Sequence, residues 1–256
     1  MTVDKIYTTI TKLANDNKKM LAILVDPDKQ DFACLNKTIA ICNNADVDFF
    51  FVGGSLLTSG DLAKTVRFIK ENSSIPVILF PGSPNQITNY ADGILFLSLI
   101  SGRNPEFLIG NQVVAAPFVK KSNLEVLSTG YMLVDGGTQT TASYVSNTNP
   151  LPYDKPEIAA VTALAGEYLG MKLIYIDGGS GAKKCVSLEM IKKTKEIISI
   201  PLLIGGGIRT PQAANEIYLA GADMLVIGNG AEENRALITE IAAVKKQLNN
   251  ASLVRG

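Results

Sequence analysis

Eight short apolar runs, each ended by a turn or breaker residue, constrain this chain more than any other feature. They are Leu21–Val25, Asp48–Val52, Val77–Phe80, Gly93–Leu97, Tyr131–Val134, Leu173–Ile176, Leu202–Ile204 and Met224–Ile227. Several are polar on neither face, as parallel strands covered on both sides must be. Helical patterns intervene at Asp31–Asn43, Gly60–Glu71, Lys155–Leu169, Ser187–Ile197, Pro211–Ala220 and Ala231–Gln247. In the last but one, Thr210 and Pro211 read as a cap and a first-turn proline. Ile6, Ile10 and Leu13, spaced along one helical face, predict an amphipathic first helix. Eight strands alternating with helices predict an α/β fold, a closed (β/α)8 TIM barrel rather than an open doubly wound sheet. The 256 residues suit one such barrel, and no low-complexity linker divides them, so 1–256 is read as a single domain. The alternation fails once. PGSPNQITNYAD, between the third and fourth runs, carries two prolines, so an irregular segment is expected in place of the third helix. Asn104–Asn123 is hard to assign, and Asn147–Pro156 reads as a loop.

Composition narrows the function by exclusion. With no histidine, the chain has no Ser-His-Asp or Cys-His machinery and no HExxH zinc site. Acid–base work falls to Asp, Glu, Lys or Tyr. A formal net charge of +0 and the lack of a polybasic run argue against nucleic acid. Cys34, Cys42 and Cys185 form no CxxC pair and no even disulfide set, which suits a reduced, cytoplasmic setting. No apolar run approaches the ~20 residues that span a bilayer.

Three glycine clusters follow strands in the second half: IYIDGGSGA (Ile174–Ala182), LLIGGGIRT (Leu202–Thr210) and MLVIGNGAE (Met224–Glu232). Without side chains the backbone can turn sharply and aim N–H groups at an anion. One cluster alone is a tight turn or a helix cap. Three at the sixth to eighth strand ends, where such barrels recurrently bind phosphate, point to a phosphorylated ligand. Asp177 ends the sixth run beside these glycines and can take a proton from an incoming alcohol, or pair with a lysine. Tyr175, two residues earlier, shares its face of the strand. At the first strand end, LVDPDK places Asp26 where a carboxylate could bind Mg²⁺. Asp28 reads as a turn or as the cap of the next helix, and Lys29 as a phosphate partner or a solvated residue. In FVGGS, Ser55 offers a neutral oxygen near that metal, or a helix cap.

These residues resemble the geranylgeranylglyceryl phosphate synthases, prenyltransferase barrels that include the heptaprenylglyceryl phosphate synthases. The resemblance runs through LVDPDK, FVGGS, PGSPNQI, GYMLVDGGTQTTASYVSNTNPLP, DKPEIAAVTALAGEYLGMKLIYIDGGSGA, GGGIRT and ADMLVIGNG, nearly the whole chain, and is closest to the second of the family's two groups. It implies transfer of a polyprenyl group, usually geranylgeranyl, from its diphosphate to sn-glycerol 1-phosphate, forming an ether. It also implies Mg²⁺ at Asp26 and Ser55. Glycerol 1-phosphate is then expected at Tyr175, Ile176, Asp177, Gly178, Gly179, Ser180, Gly181, Gly206, Gly207, Gly228 and Asn229. Asp177 stands where the family often has Glu, one methylene longer, and is expected to be the base or to orient the attacking hydroxyl. A homo-oligomer, a dimer or a hexamer, is implied as well, along with a product that partitions to the membrane. Phe96, Phe107, Phe118 and Tyr131 are candidates for a prenyl groove or for core packing.

Two other readings share the barrel. A sugar-phosphate isomerase or aldolase would use paired carboxylates or an inward lysine at a strand end, and no strand shows such a lysine. A non-catalytic prenyl or phosphate binder would have no use for both Asp26 and Asp177.

Overall fold

The structure is a computed structural model and describes residues 5–29, 31–228, 231 and 234–253. Eight parallel strands close into a barrel in sequence order, β1 through β8, with β8 pairing back to β1. They are β1 (Met20–Val25), β2 (Phe49–Gly54), β3 (Val77–Pro81), β4 (Gly93–Leu99), β5 (Glu125–Leu133), β6 (Leu173–Asp177), β7 (Leu202–Gly205) and β8 (Met224–Ile227). The helices are α1 (Lys5–Asn15), α2 (Phe32–Asn44), α3 (Leu62–Asn72), α4 (Asn111–Ser122), α5 (Thr141–Ser146), α6 (Pro156–Tyr168), α7 (Leu188–Ile197), α8 (Pro211–Leu219) and α9 (Ala236–Leu253).

Strand alternation sorts the side chains into two cores. Met20, Phe51, Ile78, Leu95, Leu127, Tyr131, Tyr175 and Met224 fill the barrel interior. Leu21, Ile23, Phe50, Ile174, Ile176 and Ile204 face outward and pack beneath the helices. The first helix has its own task. Ile6 and Ile10 join the interior cluster, so α1 plugs the N-terminal end of the barrel. The buried carboxylate of Glu125, at the start of β5, accepts from the N–H groups of Ile6 (2.8 Å) and Tyr7 (2.7 Å), satisfying first-turn donors that the helix cannot pair itself.

A latch recurs on that same face. Asp48, Asp92 and Asp223 each precede a strand, and each donates its backbone N–H to the strand before it, at Leu21, Val77 and Leu202. The carboxylate of each accepts the N–H of that same residue at 2.7–2.8 Å. A lysine then pairs with the carboxylate: Lys245 with Asp48 (2.8 Å), Lys70 with Asp92 (2.8 Å) and Lys195 with Asp223 (2.6 Å).

Between β3 and β4 no helix forms, as the two prolines lead one to expect. These strands also part early. Only Ile78–Gly93 and Leu79–Ile94 are in register, leaving Phe80 and Pro81 unpaired on the β4 side. Asn104–Asn123, hard to assign by pattern, is a π-helical turn (Glu106–Gly110) leading into α4. Pro117 sits inside α4, and Val113, Val114 and Phe118 are exposed on it, so neither proline punctuation nor amphipathic spacing announces a helix. β5 begins six residues earlier than Tyr131 because Glu125–Tyr131 pairs with Gly93–Leu99 of β4; the polar side chains of Glu125 and Thr129 there bond to α1 and to Leu127 of the same strand.

Candidate functional site at the barrel mouth

The C-terminal strand ends open into one continuous cavity. On one side lie Asp177, Gly179, Ser180, Gly181, Gly206, Gly207 and Gly228, on the other Asp26, Gly54 and Ser55. Phe80, Tyr131 and Tyr175 make an aromatic floor between them. The Phe80 and Tyr175 rings stack at 5.4 Å, and Tyr131 meets both edge-on at 5.8 and 5.4 Å.

Asp177 is the best-defined member of the site. Its carboxylate is 8% exposed, and it accepts from the Tyr131 hydroxyl (2.7 Å, Oδ2) and the Gly179 N–H (2.7 Å, Oδ1). Among the described residues it forms no ion pair with a lysine. Burial lifts its pKa above the ordinary carboxylate value, and the two hydrogen bonds draw it partway back. Burial and the nearby Asp177 charge push the Tyr131 phenol far above its ordinary value, so it stays protonated and donates. Gly206 makes this packing feasible. Its φ of +84° suits glycine, and a Cβ there would lie 2.7 Å from Asp177 Oδ1.

The expected phosphate residues divide by geometry. Tyr175 faces inward and is almost wholly buried, as its spacing from Asp177 predicts. Ile176 does not reach the cavity. Adjacent strand residues point to opposite faces, so its side chain lies in the outer core. Gly178 does not line the cavity either, and its N–H is spent on the Gly205 carbonyl (3.0 Å). Asn229 lies outside the described residues.

On the opposite side, Asp26 lines the cavity, accepts from the Asp28 N–H (3.1 Å) and lies 3.6 Å from the Lys29 ammonium. Ser55 lines the cavity and caps no helix, since Asp61 caps α3. Asp28 caps no helix either, because Asp31 holds that position on α2. Instead its carboxylate gathers the N–H groups of Thr58 (2.7 Å), Ser59 (3.2 Å) and Gly60 (2.6 Å) and the Thr58 hydroxyl (2.8 Å). Those bonds, Thr58 N–H foremost, lower its pKa to about 2.

From the aromatic floor the cavity leaves the barrel where β3 and β4 part. It touches Leu95 and Leu97 on the inner face of β4, then Ile94 and Phe96 on the outer face, Ile87 in the irregular segment, and Gln112 and Ala115 on α4. Phe96, Phe107 and Tyr131 line it, while Phe118 points to solvent at 59% exposure. Sequence reasoning missed Arg209, which lines the cavity and donates to the Ala182 carbonyl (2.9 Å). The signal was present, as an arginine directly after GGGI.

Comparison with known proteins agrees with this geometry. The chain is 50% identical over 234 residues to a geranylgeranylglyceryl phosphate synthase from Spirosoma linguale, covering 91% of this chain and 94% of the relative. It superposes on the wild-type synthase structure from Thermoplasma volcanium with a TM-score of 0.88 at 37% identity, covering 94% of this chain and 98% of that one. The Thermoplasma acidophilum enzyme, solved in complex with its substrate sn-glycerol-1-phosphate, gives a TM-score of 0.87 at 32% identity, with 96% and 99% covered. With barrel, cavity and motifs in agreement and its residues 15–248 matching the family's own pattern, the chain belongs to the PcrB family.

Proposed function

We propose that this protein is a prenyltransferase that joins sn-glycerol 1-phosphate to a polyprenyl diphosphate, the geranylgeranyl one foremost. The observation that carries this reading is a single cavity with a buried carboxylate, Asp177, among glycine loops at one end and an apolar exit from the barrel at the other. The glycine loops of β6 to β8 hold the acceptor by its phosphate, so its hydroxyl meets the donor as a positioned neighbour. In the reaction the bond between the prenyl C1 and the diphosphate oxygen breaks, and its electron pair leaves with diphosphate. The glycerol oxygen forms the new C–O bond, and its proton passes to Asp177 Oδ. The Tyr131 hydroxyl and Gly179 N–H fix that carboxylate and stabilise its anionic form before reaction. The aromatic floor excludes water from the reacting carbon, and the exit between β3 and β4 houses the prenyl tail.

The donor set on the β1–β2 side suits Mg²⁺. It offers the Asp26 carboxylate and the Ser55 hydroxyl, both lining the cavity. Among the described residues no cluster of three acids, cysteines or histidines could cage a metal alone. One carboxylate plus a hydroxyl matches an ion that takes its remaining ligands from phosphate oxygens and water. Bound there, Mg²⁺ would offset charge gathering on the leaving diphosphate.

A homo-oligomer, a dimer or a hexamer, is part of the same reading. Support comes from apolar side chains on the outer faces of α4 (Val113, Val114, Phe118) and α6 (Val161, Tyr168). The three free cysteines suit the cytoplasm, and among the described residues no helix is long and apolar enough to cross a membrane. The decisive experiment incubates the purified protein with Mg²⁺, sn-glycerol 1-phosphate and labelled geranylgeranyl diphosphate. An organic-extractable ether phosphate is expected, and no product at any prenyl length would sink the reading.

A further inference from the structure

The reaction above leaves one charged side chain of the cavity without a task. Among the described residues that line it, Arg209 is the one cation, against two carboxylates, Asp26 and Asp177. A phosphate dianion entering beside Asp177 adds to that negative charge. The β6 loop also supplies fewer amides than its glycines suggest. The N–H groups of Gly178 and Gly179 are spent on Gly205 and Asp177, and those of Lys183 and Lys184 on the Gly136 carbonyl.

Arg209 is held where it can make up the difference. Ile208 before it is buried, and Thr210 after it caps α8, with Pro211 in the first turn. From that position Nη1 donates to the Ala182 carbonyl (2.9 Å), joining the β7 loop to the neighbouring β6 loop. Among the described residues no carboxylate forms an ion pair with it. A guanidinium has five N–H donors in a planar fork that matches phosphate, and Ala182 occupies only one.

We propose that Arg209 is the charged ligand of the acceptor's phosphate, with its bond to Ala182 holding the guanidinium over the glycine loops. The proposal rests on the reading that those loops bind glycerol phosphate. The test is calorimetric titration of sn-glycerol 1-phosphate, without donor, into the parent, Arg209→Gln and Arg209→Lys proteins, each checked by its melting temperature. Losing charge-assisted hydrogen bonds should weaken binding about tenfold or more in Arg209→Gln, and by a smaller factor in Arg209→Lys. The gap should narrow as salt is raised. In turnover assays KM for the prenyl diphosphate should stay within about twofold, since that phosphate sits elsewhere. Arg209→Gln binding within twofold of the parent overturns the proposal, as does a rise confined to the donor's KM. Should Arg209→Gln not fold, unchanged affinity in Arg209→Lys overturns it instead. A parent that fails to bind glycerol 1-phosphate defeats the cradle reading itself. A parent that binds it but makes no ether defeats only the transferase reading.

Discussion

At the scale of single residues, Asp177 and Asp28 show how two aspartates of one mouth acquire opposite characters. Asp177 is buried, and burial raises its pKa; Asp28 sits among donors, and they lower its pKa to about 2. In the proposed reaction Asp177 is the base, which works only when deprotonated, so activity should rise with pH through its pKa. The acid limb of kcat/KM should therefore lie above the ~4 of an ordinary aspartate. Asp177→Asn should lower kcat by roughly 10²–10⁴-fold, the range for losing a general base. A group whose folded pKa is raised favours folding in its neutral form and loses that contribution as pH rises through the folded value. The neutral amide should thus melt no lower than the parent at pH 7, and calorimetry alongside the pH–rate profile tests both statements. For Asp28 the sign reverses. Its contribution is complete above the unfolded pKa of about 3.8 and lost as pH falls through about 2. Asp28→Asn should melt below the parent at pH 7, and the two curves should converge between pH 4 and 2.

At the scale of elements, the latches on the N-terminal face make the sharpest stability claim. Lys245 is 3% exposed, and Asp48 relies on it and on the Leu21 N–H. Burial already holds the Asp48 pKa above its ordinary value, and Lys245 is the main influence opposing that rise. Lys245→Met should therefore cost about 3–5 kcal/mol at neutral pH, the typical loss when a buried pair loses one partner. Because Asp48 can then escape its charge by protonating, the deficit should shrink as pH is lowered. The double variant with Asp48→Asn should recover much of it, and denaturant melts of the two single variants and the double variant close the cycle. The latch also shows where sequence legibility stops. Its signal is an aspartate just before a strand, in VDFF, ADGI and ADMLV, and a two-letter cue has no force until the barrel brings its lysine alongside. Most strands were legible because they bury both faces and end at a breaker, whereas the start of β5 was not, since it carries Glu125, the exposed Val126, Ser128 and Thr129. α4 was not, because its apolar residues face outward. Within the site, Asp26, Ser55 and Asp177 could be placed from strand ends alone. Ile176 could not, since a contiguous motif ignores the alternation that sends it outward. The Tyr131 bond to Asp177 joins residues 46 apart, and only closure of β5 against β6 makes it.

At the scale of the whole molecule, the proposed reaction has the barrel hold the acceptor's phosphate apart from the donor's diphosphate while the glycerol oxygen meets the prenyl carbon between them. Asp26 follows β1 and Asp177 ends β6, so β7 and β8 stand between them along the wall, while the tail exit opens between β3 and β4. On the proposed reading the acceptor is handled by the last three strand ends and the donor by the first four. Such a division should be visible as separable defects. Gly206→Ala drives a Cβ to 2.7 Å from Asp177 Oδ1 at a φ of +84°, so it should weaken glycerol 1-phosphate binding and disturb the base. Asp26→Ala touches none of those atoms. It should leave the calorimetric affinity for glycerol 1-phosphate unchanged while abolishing turnover, as EDTA should in the parent. Sites without shared partners act additively, so the double variant should bind the acceptor no worse than Gly206→Ala alone. If instead Asp26→Ala loosened the acceptor as much as Gly206→Ala does, the two anions would share one subsite, and the barrel would bind its substrates in turn rather than face to face.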